Sequence, residues 1–231
     1  RPYDALYDPR SLPAPFGSRE SLAGRNPQLL RESYTHAAES LGPEAWQVVR
    51  SYYYGCITFL DAMIGRVLDH LEQQGLLDRT LILFAADHGD LVGDFGSCFK
   101  LNHMNGSVRV PLLFSGPGIP AGRKTEALAG LQDVLPTLAA AAGADIGQAV
   151  QGRDLSPVLR DPDTSVREVF YAVTKSNETL GESAMVCDGR MKYIYSEANA
   201  TEELYDQQQD PGELQNLADK VDPAELQRYR E

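Results

Sequence analysis

The stretch Thr80-Leu-Ile-Leu-Phe-Ala-Ala86, followed at once by Asp87-His88-Gly89-Asp90, joins a continuous apolar run of strand length to an abrupt polar cluster. Such a run is the mark of a strand buried on both faces, because a half-buried strand would alternate. Upstream, Trp46, Val49, Tyr53, Cys56, Leu60, Met63, Ile64, Val67 and Leu71 recur at three and four, which predicts a long amphipathic helix over 43–71. Pro43 suits its first turn and Gly75 its end. Helix, short link and buried strand make half of an α/β unit.

Further out, Val110-Pro-Leu-Leu-Phe114 reads as a second apolar strand, with Pro111 tolerable at its start. It runs into Ser115-Gly-Pro-Gly-Ile-Pro-Ala-Gly122, where Gly and Pro force turns. Residues 133–142 predict a short helix ended by Gly143. Beyond residue 160 the pattern changes: 168–173, 184–187 and 191–195 read as strands, the last two joined as a hairpin through Asp188-Gly189-Arg190. Short helices are expected near 213–218 and 223–230. The expected division is an α/β domain over 1–160, whose first 40 residues form an extended surface segment rich in Pro, Gly, Ser and Arg. A small antiparallel α+β subdomain over 161–231 follows.

The 231 residues are 42% hydrophobic, enough to bury a sizeable core. A formal charge of −12 repels phosphates on average, so neither nucleic acid nor an anionic membrane is expected as a partner. Any anionic substrate must then be held by local cations. No run approaches the ~20 apolar residues of a membrane span. Cys56, Cys98 and Cys187 are odd in number and widely spaced, so they read as small hydrophobes, not as a disulfide framework or metal site.

Ligand sites in open α/β sheets gather at the carboxyl ends of strands, and Asp87-His88 stands at such an end. The pair offers a hard oxygen and an imidazole nitrogen, both acceptable to a divalent cation, and Gly89 permits the tight turn that lets them converge. By itself the triplet is weak and reads first as a capping Asp beside a surface His. Thirteen residues after Asp87 stands Lys100, and nine later Arg109, within Ser107-Val-Arg-Val-Pro-Leu112.

In this order and spacing the blocks resemble sulfatases and the related phosphonate monoester hydrolases of the alkaline phosphatase superfamily. The resemblance continues through Ile64-Gly-Arg-Val-Leu68, Asp133-Val-Leu-Pro-Thr137, Gln151-Gly-Arg153, Met191-Lys-Tyr-Ile-Tyr195, Glu203-Leu-Tyr-Asp206 and Asp210-Pro-Gly-Glu213. It implies part of an alkaline-phosphatase-like α/β/α sandwich. Asp87 and His88 would be ligands of one divalent metal ion: calcium, manganese or magnesium. Lys100 would be catalytic, holding an oxygen of the bound sulfate or phosphonate, and His103 would contact substrate from the loop above.

The departures carry equal weight. None of the three cysteines lies in the family's Cys-x-Pro-Ser-Arg motif, from which the formylglycine nucleophile is made, and the paired Asp ligands near the N-terminus are missing. The expectation is a C-terminal portion whose N-terminal half, with the formylglycine, was removed or is not included, so that this piece alone is inactive. Its expected partners are a small sulfate or phosphonate ester, that missing half and, through exposed apolar edges, further copies of itself in a homo-oligomer. The competing readings are a phosphonate monoester or phosphodiester hydrolase of the same family, a non-catalytic binding relative, and a phosphotransferase relative with Ser or Thr as nucleophile. Asp90 and Asp94 could orient His88 or Lys100, or be turn groups. Arg109 is read as a structural ion pair, His36 and His70 as solvated helical residues, and Glu202-Glu203 as a wet face.

Overall fold

The computed structural model of the protein describes residues 2–22, 25, 41–98, 100, 102–147, 150–175 and 181–230. His36 therefore lies outside the described residues. The long helix, α1, runs over Pro43–Gln73 with Gly42 as its N-cap. It ends where Gly75 takes φ 63°, donating its N–H to the Glu72 carbonyl while Leu76 donates to Leu71, a Schellman-type stop.

The segment before α1 is not simply extended. It coils into 3-10 turns at Tyr3–Ala5 and Pro9–Ser11 and lies along α1. The Tyr7 and Thr58 hydroxyls are hydrogen-bonded at 2.7 Å, and Gln47 Nε2 donates to the Leu12 carbonyl. Tyr3 meets Phe59 edge-on, and a side chain at Gly55 would run into the Tyr3 carbonyl. The covered face of α1 is thus Trp46, Ser51 and Gly55.

The aliphatic stripe expected to be core is instead open: Tyr53 is 40% exposed, Leu60 51% and Val67 60%. Cys56, expected to be buried, is exposed with them, whereas Cys98 and Cys187 are half-buried. The periodicity correctly marks an apolar face, but no described element covers it.

Strand β1 (Ile82–Ala85) pairs antiparallel with β2 (Leu112–Ser115), Ile82 opposite Ser115 and Ala85 opposite Leu112. Burial on both faces is not observed. Phe84 and Leu113 are exposed, because the two strands form a ribbon that the described elements close only in part. A single helical turn, α2 (Asn105–Val108), precedes β2. Helix α3 (Val134–Ala142) stops at Gly143 in the left-handed region, as its sequence predicts, and α4 (Ser156–Arg160) follows.

The C-terminal sheet is a meander of β3 (Phe170–Lys175), β4 (Glu182–Cys187), β5 (Met191–Ser196) and β6 (Thr201–Asp206), antiparallel throughout. The β4–β5 hairpin forms because Asp188 Oδ1 accepts the N–H groups of Arg190 and Met191 while Gly189 takes φ 93°.

Strand β6 was hidden by its adjacent glutamates. Glu203 is not on a wet face: it is 1% exposed and accepts the Tyr205 hydroxyl proton at 2.5 Å. Nor is there a helix at 213–218. Asn216 instead lies along β6, accepting the Leu204 N–H and donating to the Glu202 carbonyl, so its amide stands in for a neighbouring strand. Helix α5 (Pro223–Arg230) is present and packs Leu226 against Tyr193 and Leu204.

One core cluster joins residues from both sides of position 160. Leu22, Leu91, Phe95 and Met104 pack with Met185, Ile194 and Tyr205. The loops that follow β1 therefore rest on the C-terminal sheet. A second tie is polar: Asp133, fully buried, receives both Arg167 nitrogens at 2.5 Å and the N–H groups of Gly130 and Arg153 at 2.8 Å. These donors outweigh the burial that opposes ionisation and hold the Asp133 carboxyl below the usual carboxylate range.

Candidate active site

Asp87 and His88 stand immediately beyond the end of β1. Their turn is held by its third residue: Gly89 donates its N–H to the Ser107 carbonyl at 2.7 Å, and a Cβ at Gly89 would collide with the Gly106 carbonyl. Only glycine fits between β1 and α2 at that point. Asp87 Oδ1 accepts the His88 N–H at 3.0 Å, and Asp87 Oδ2 lies 3.5 Å from His88 Nε2.

The tautomer of His88 follows from its neighbours. Nδ1 lies 2.8 Å from the Gly89 carbonyl oxygen, which can only accept, so Nδ1 carries a proton and, when the ring is neutral, the lone pair lies on Nε2. That lone pair and the outer oxygen of Asp87 form a donor pair open to solvent, with Asp87 85% exposed and His88 38%. Their 3.5 Å separation fits two donors sharing one divalent ion with metal–oxygen distances of about 2.3–2.6 Å. The fit is partial, because no group of three or more potential ligands occurs among the described residues.

Lys100 faces the same cleft, a cavity of about 800 Å³ whose wall also includes Asn105, Arg109 and Lys192. Its far side is built by Phe170, Ala172 and Thr174 of β3 and Met185 and Cys187 of β4. The cleft thus lies between the β1 loops and the C-terminal sheet, and it supplies the local cations that an acidic chain needs in order to hold an anion. A smaller cleft of about 600 Å³ lined by Lys124, Arg167 and Asp188 contains none of the site residues.

His103 is placed differently from the rest. It is 2% exposed, its Nε2 donates to the Ser183 carbonyl at 3.0 Å, and it is not among the residues lining the cleft. Burial pushes its pKa down, so the ring is neutral, and its Nδ1 has no hydrogen-bond partner among the described residues. Its visible role is to pin the 102–104 loop onto β4.

The neighbouring acids hold backbone and a cation. Asp90 accepts the Val92 N–H, and Asp94 joins Arg50 and the Phe16 N–H, fastening the N-terminal segment. Arg109 has no ion-pair partner among the described residues and its side chain is exposed on the cleft wall, contrary to the expected structural pairing. His70 is exposed on α1, as expected. Sequence reasoning missed Lys192: a lysine inside a strand gives no signal for burial, and only the pairing of β5 reveals its direction.

The ribbon and helix layer thus present an oxygen and an imidazole nitrogen together with a lysine beside an antiparallel sheet. The sulfatase family model matches residues 12–144, and the N-sulphoglucosamine sulphohydrolase C-terminal model matches 93–230. The chain belongs to the sulfatase family, within the alkaline phosphatase superfamily. It is 37% identical over 190 residues to the choline-sulfatase of Rhizobium meliloti (strain 1021), covering 79% of this chain and 36% of that protein. It is 30% identical over 253 residues to the multifunctional alkaline phosphatase superfamily protein PehA of Trinickia caryophylli, covering 96% of this chain and 49% of the relative.

Among solved structures, the phosphonate monoester hydrolase from Silicibacter pomeroyi superposes with a TM-score of 0.86 at 30% identity, over 99% of this chain and 50% of that one. The fold is therefore the expected α/β class. The chain spans between about a third and a half of the length of these relatives.

Proposed function

We propose that this chain forms the part of a metal-dependent sulfate-ester hydrolase that carries two metal ligands and one anion-holding cation. The observation that supports it most strongly is the meeting of Asp87, His88 and Lys100 on one cleft, with His88 Nδ1 held by the Gly89 carbonyl. Asp87 Oδ2 and His88 Nε2 would hold the ion: calcium, manganese or magnesium, the imidazole favouring manganese. Bound there, a divalent cation supplies Lewis-acid stabilisation of charge on the ester oxygens.

Lys100 binds and orients a sulfate oxygen, and its ammonium charge counters the negative charge that develops during transfer. Arg109 is a second cation on the same wall for that anion. His103 as a substrate contact is not retained in this reading, since its ring is buried against β4. The covalent nucleophile, a formylglycine in this reading, comes from outside residues 1–231. Within them Cys56, Cys98 and Cys187 are followed two residues later by Thr58, Lys100 and Gly189, never by the Pro of the required motif.

A phosphonate monoester is the second reading, favoured by the likeness to a phosphonate monoester hydrolase over nearly the whole chain. The test assays the complete polypeptide containing this chain on an aryl sulfate and an aryl phosphonate monoester with manganese. Asp87→Ala and Lys100→Ala should each lower the metal-dependent rate by about 100-fold or more, whereas residues 1–231 alone should give no metal-dependent rate. Unchanged rates in both variants would end the assignment, and a metal-dependent rate from residues 1–231 that Asp87→Ala abolishes would end the claim of an external nucleophile.

A further inference from the structure

Lys192 and Glu213 form an ion pair at 2.5 Å, each side chain 2% exposed. Two desolvated charges gain little net stability over an apolar pair of the same size, so such a pair is better understood through the geometry it specifies. Here the geometry centres on Asn105, the first residue of α2. Its side-chain oxygen accepts from Lys192 Nζ at 2.9 Å, and its backbone N–H donates to Glu213 Oε2 at 2.7 Å. Its side-chain amide donates to Gln207 Oε1 at 2.6 Å and the Pro211 carbonyl at 3.2 Å, and its own carbonyl accepts the Arg109 N–H. Glu213 itself sits at φ 55°, a conformation uncommon for glutamate, and Gln207 Nε2 donates to its carboxylate at 3.2 Å.

The α2 turn that Asn105 starts presents the Ser107 carbonyl, which receives the Gly89 N–H at 2.7 Å. The Gly89 carbonyl in turn receives His88 Nδ1. A path of hydrogen bonds and short stretches of backbone, from Asn105 through Gly106 to Ser107 and across Gly89, therefore leads from the buried pair on the C-terminal sheet to the imidazole at the cleft.

We propose that Lys192 and Glu213, acting through Asn105, are positioning residues that set the orientation of the Asp87-His88 turn. The proposal rests on the reading of Asp87 and His88 as metal ligands. Neither Lys192 nor Glu213 needs to touch the ion; the C-terminal sheet fixes α2, α2 fixes Gly89, and Gly89 fixes the tautomer and aim of His88.

The test uses the complete polypeptide with Asn105→Ala, Lys192→Met and Glu213→Gln, and Arg230→Ala as a control that breaks a distant exposed pair. Two quantities are read: amide hydrogen exchange of the Gly89 segment in metal-free protein, and manganese affinity by titration. Asn105→Ala should speed Gly89 exchange by about tenfold and weaken manganese binding by about 10- to 100-fold, with Arg230→Ala changing neither. Lys192→Met should move both in the same direction.

If Lys192→Met does not fold, Asn105→Ala decides, since it keeps the ion pair and the backbone bond to Glu213 and removes the side-chain bonds to Lys192, Gln207 and Pro211. Melting temperatures that fall while exchange and affinity stay at wild-type values would overturn the proposal. Faster Gly89 exchange in a protein that binds no manganese in any form would support the coupling and overturn the ligand reading instead.

Discussion

Replacing Asp133 by Asn should cost the chain a large part of its stability, although the two side chains have nearly the same shape. The carboxylate has no exposure and accepts four hydrogen bonds, from Gly130, Arg153 and twice from Arg167. The amide keeps one acceptor oxygen and turns an NH2 toward two donors, so one backbone N–H loses its partner. The Arg167 guanidinium, 6% exposed, also loses its counter-charge. Breaking one side of a buried pair costs about 3–5 kcal/mol. At about 2–4 °C per kcal/mol for a chain of this size, the melting temperature should fall by about 6–20 °C.

Thermal unfolding followed by circular dichroism at pH 7 measures it. A loss under ~1 kcal/mol, the range of an exposed pair, would refute the reasoning. The pH dependence gives a second check. The folded pKa of Asp133 is depressed, so its contribution is complete above its unfolded value of about 3.9 and is lost as pH falls through the folded value. The gap between wild type and Asp133→Asn should therefore narrow on acidification below about pH 4.

Gly89→Ala should displace the Asp87-His88 turn, because the added methyl meets the Gly106 carbonyl. A misplacement near 1 Å predicts about a hundredfold lower kcat for the complete polypeptide, and wild-type kcat would show that the turn tolerates a shift. Residues 1–231 in isolation should self-associate through the open stripe of Val49, Tyr53, Leu60 and Val67. Sedimentation velocity should show mass rising with concentration, and Leu60→Lys with Val67→Lys should reduce it. A monomer at every concentration would contradict the prediction.

Several elements were legible because their signals are local. The helix over 43–73 follows from apolar spacing, a proline at its first turn and a glycine past its end. The hairpin at 188–190 follows from Asp-Gly turn chemistry, and the stop at Gly143 from the left-handed conformation that glycine accepts. Where signals were not local, expectations failed. The apolar face of α1 was read as core, yet burial depends on what lies against it. Glu203 was read as solvated, yet its register in β6 turns it inward. The segment 213–218 was read as helix, yet Asn216 takes its hydrogen bonds along β6 instead.

The sequence by itself determined which residues could do chemistry: Asp87, His88 and Lys100 share one ordered block, and residue identity and spacing are properties of the chain. The tertiary structure decided how they are used. The Gly89 carbonyl holds Nδ1 of His88 and leaves Nε2 facing Asp87 Oδ2, and His103 is buried against the Ser183 carbonyl. Lys192, in a strand remote in sequence, is brought to Asn105 on the wall of the same cleft. Hydrogen-bond direction and burial arise only when separate segments meet, so no reading of one segment could have supplied them.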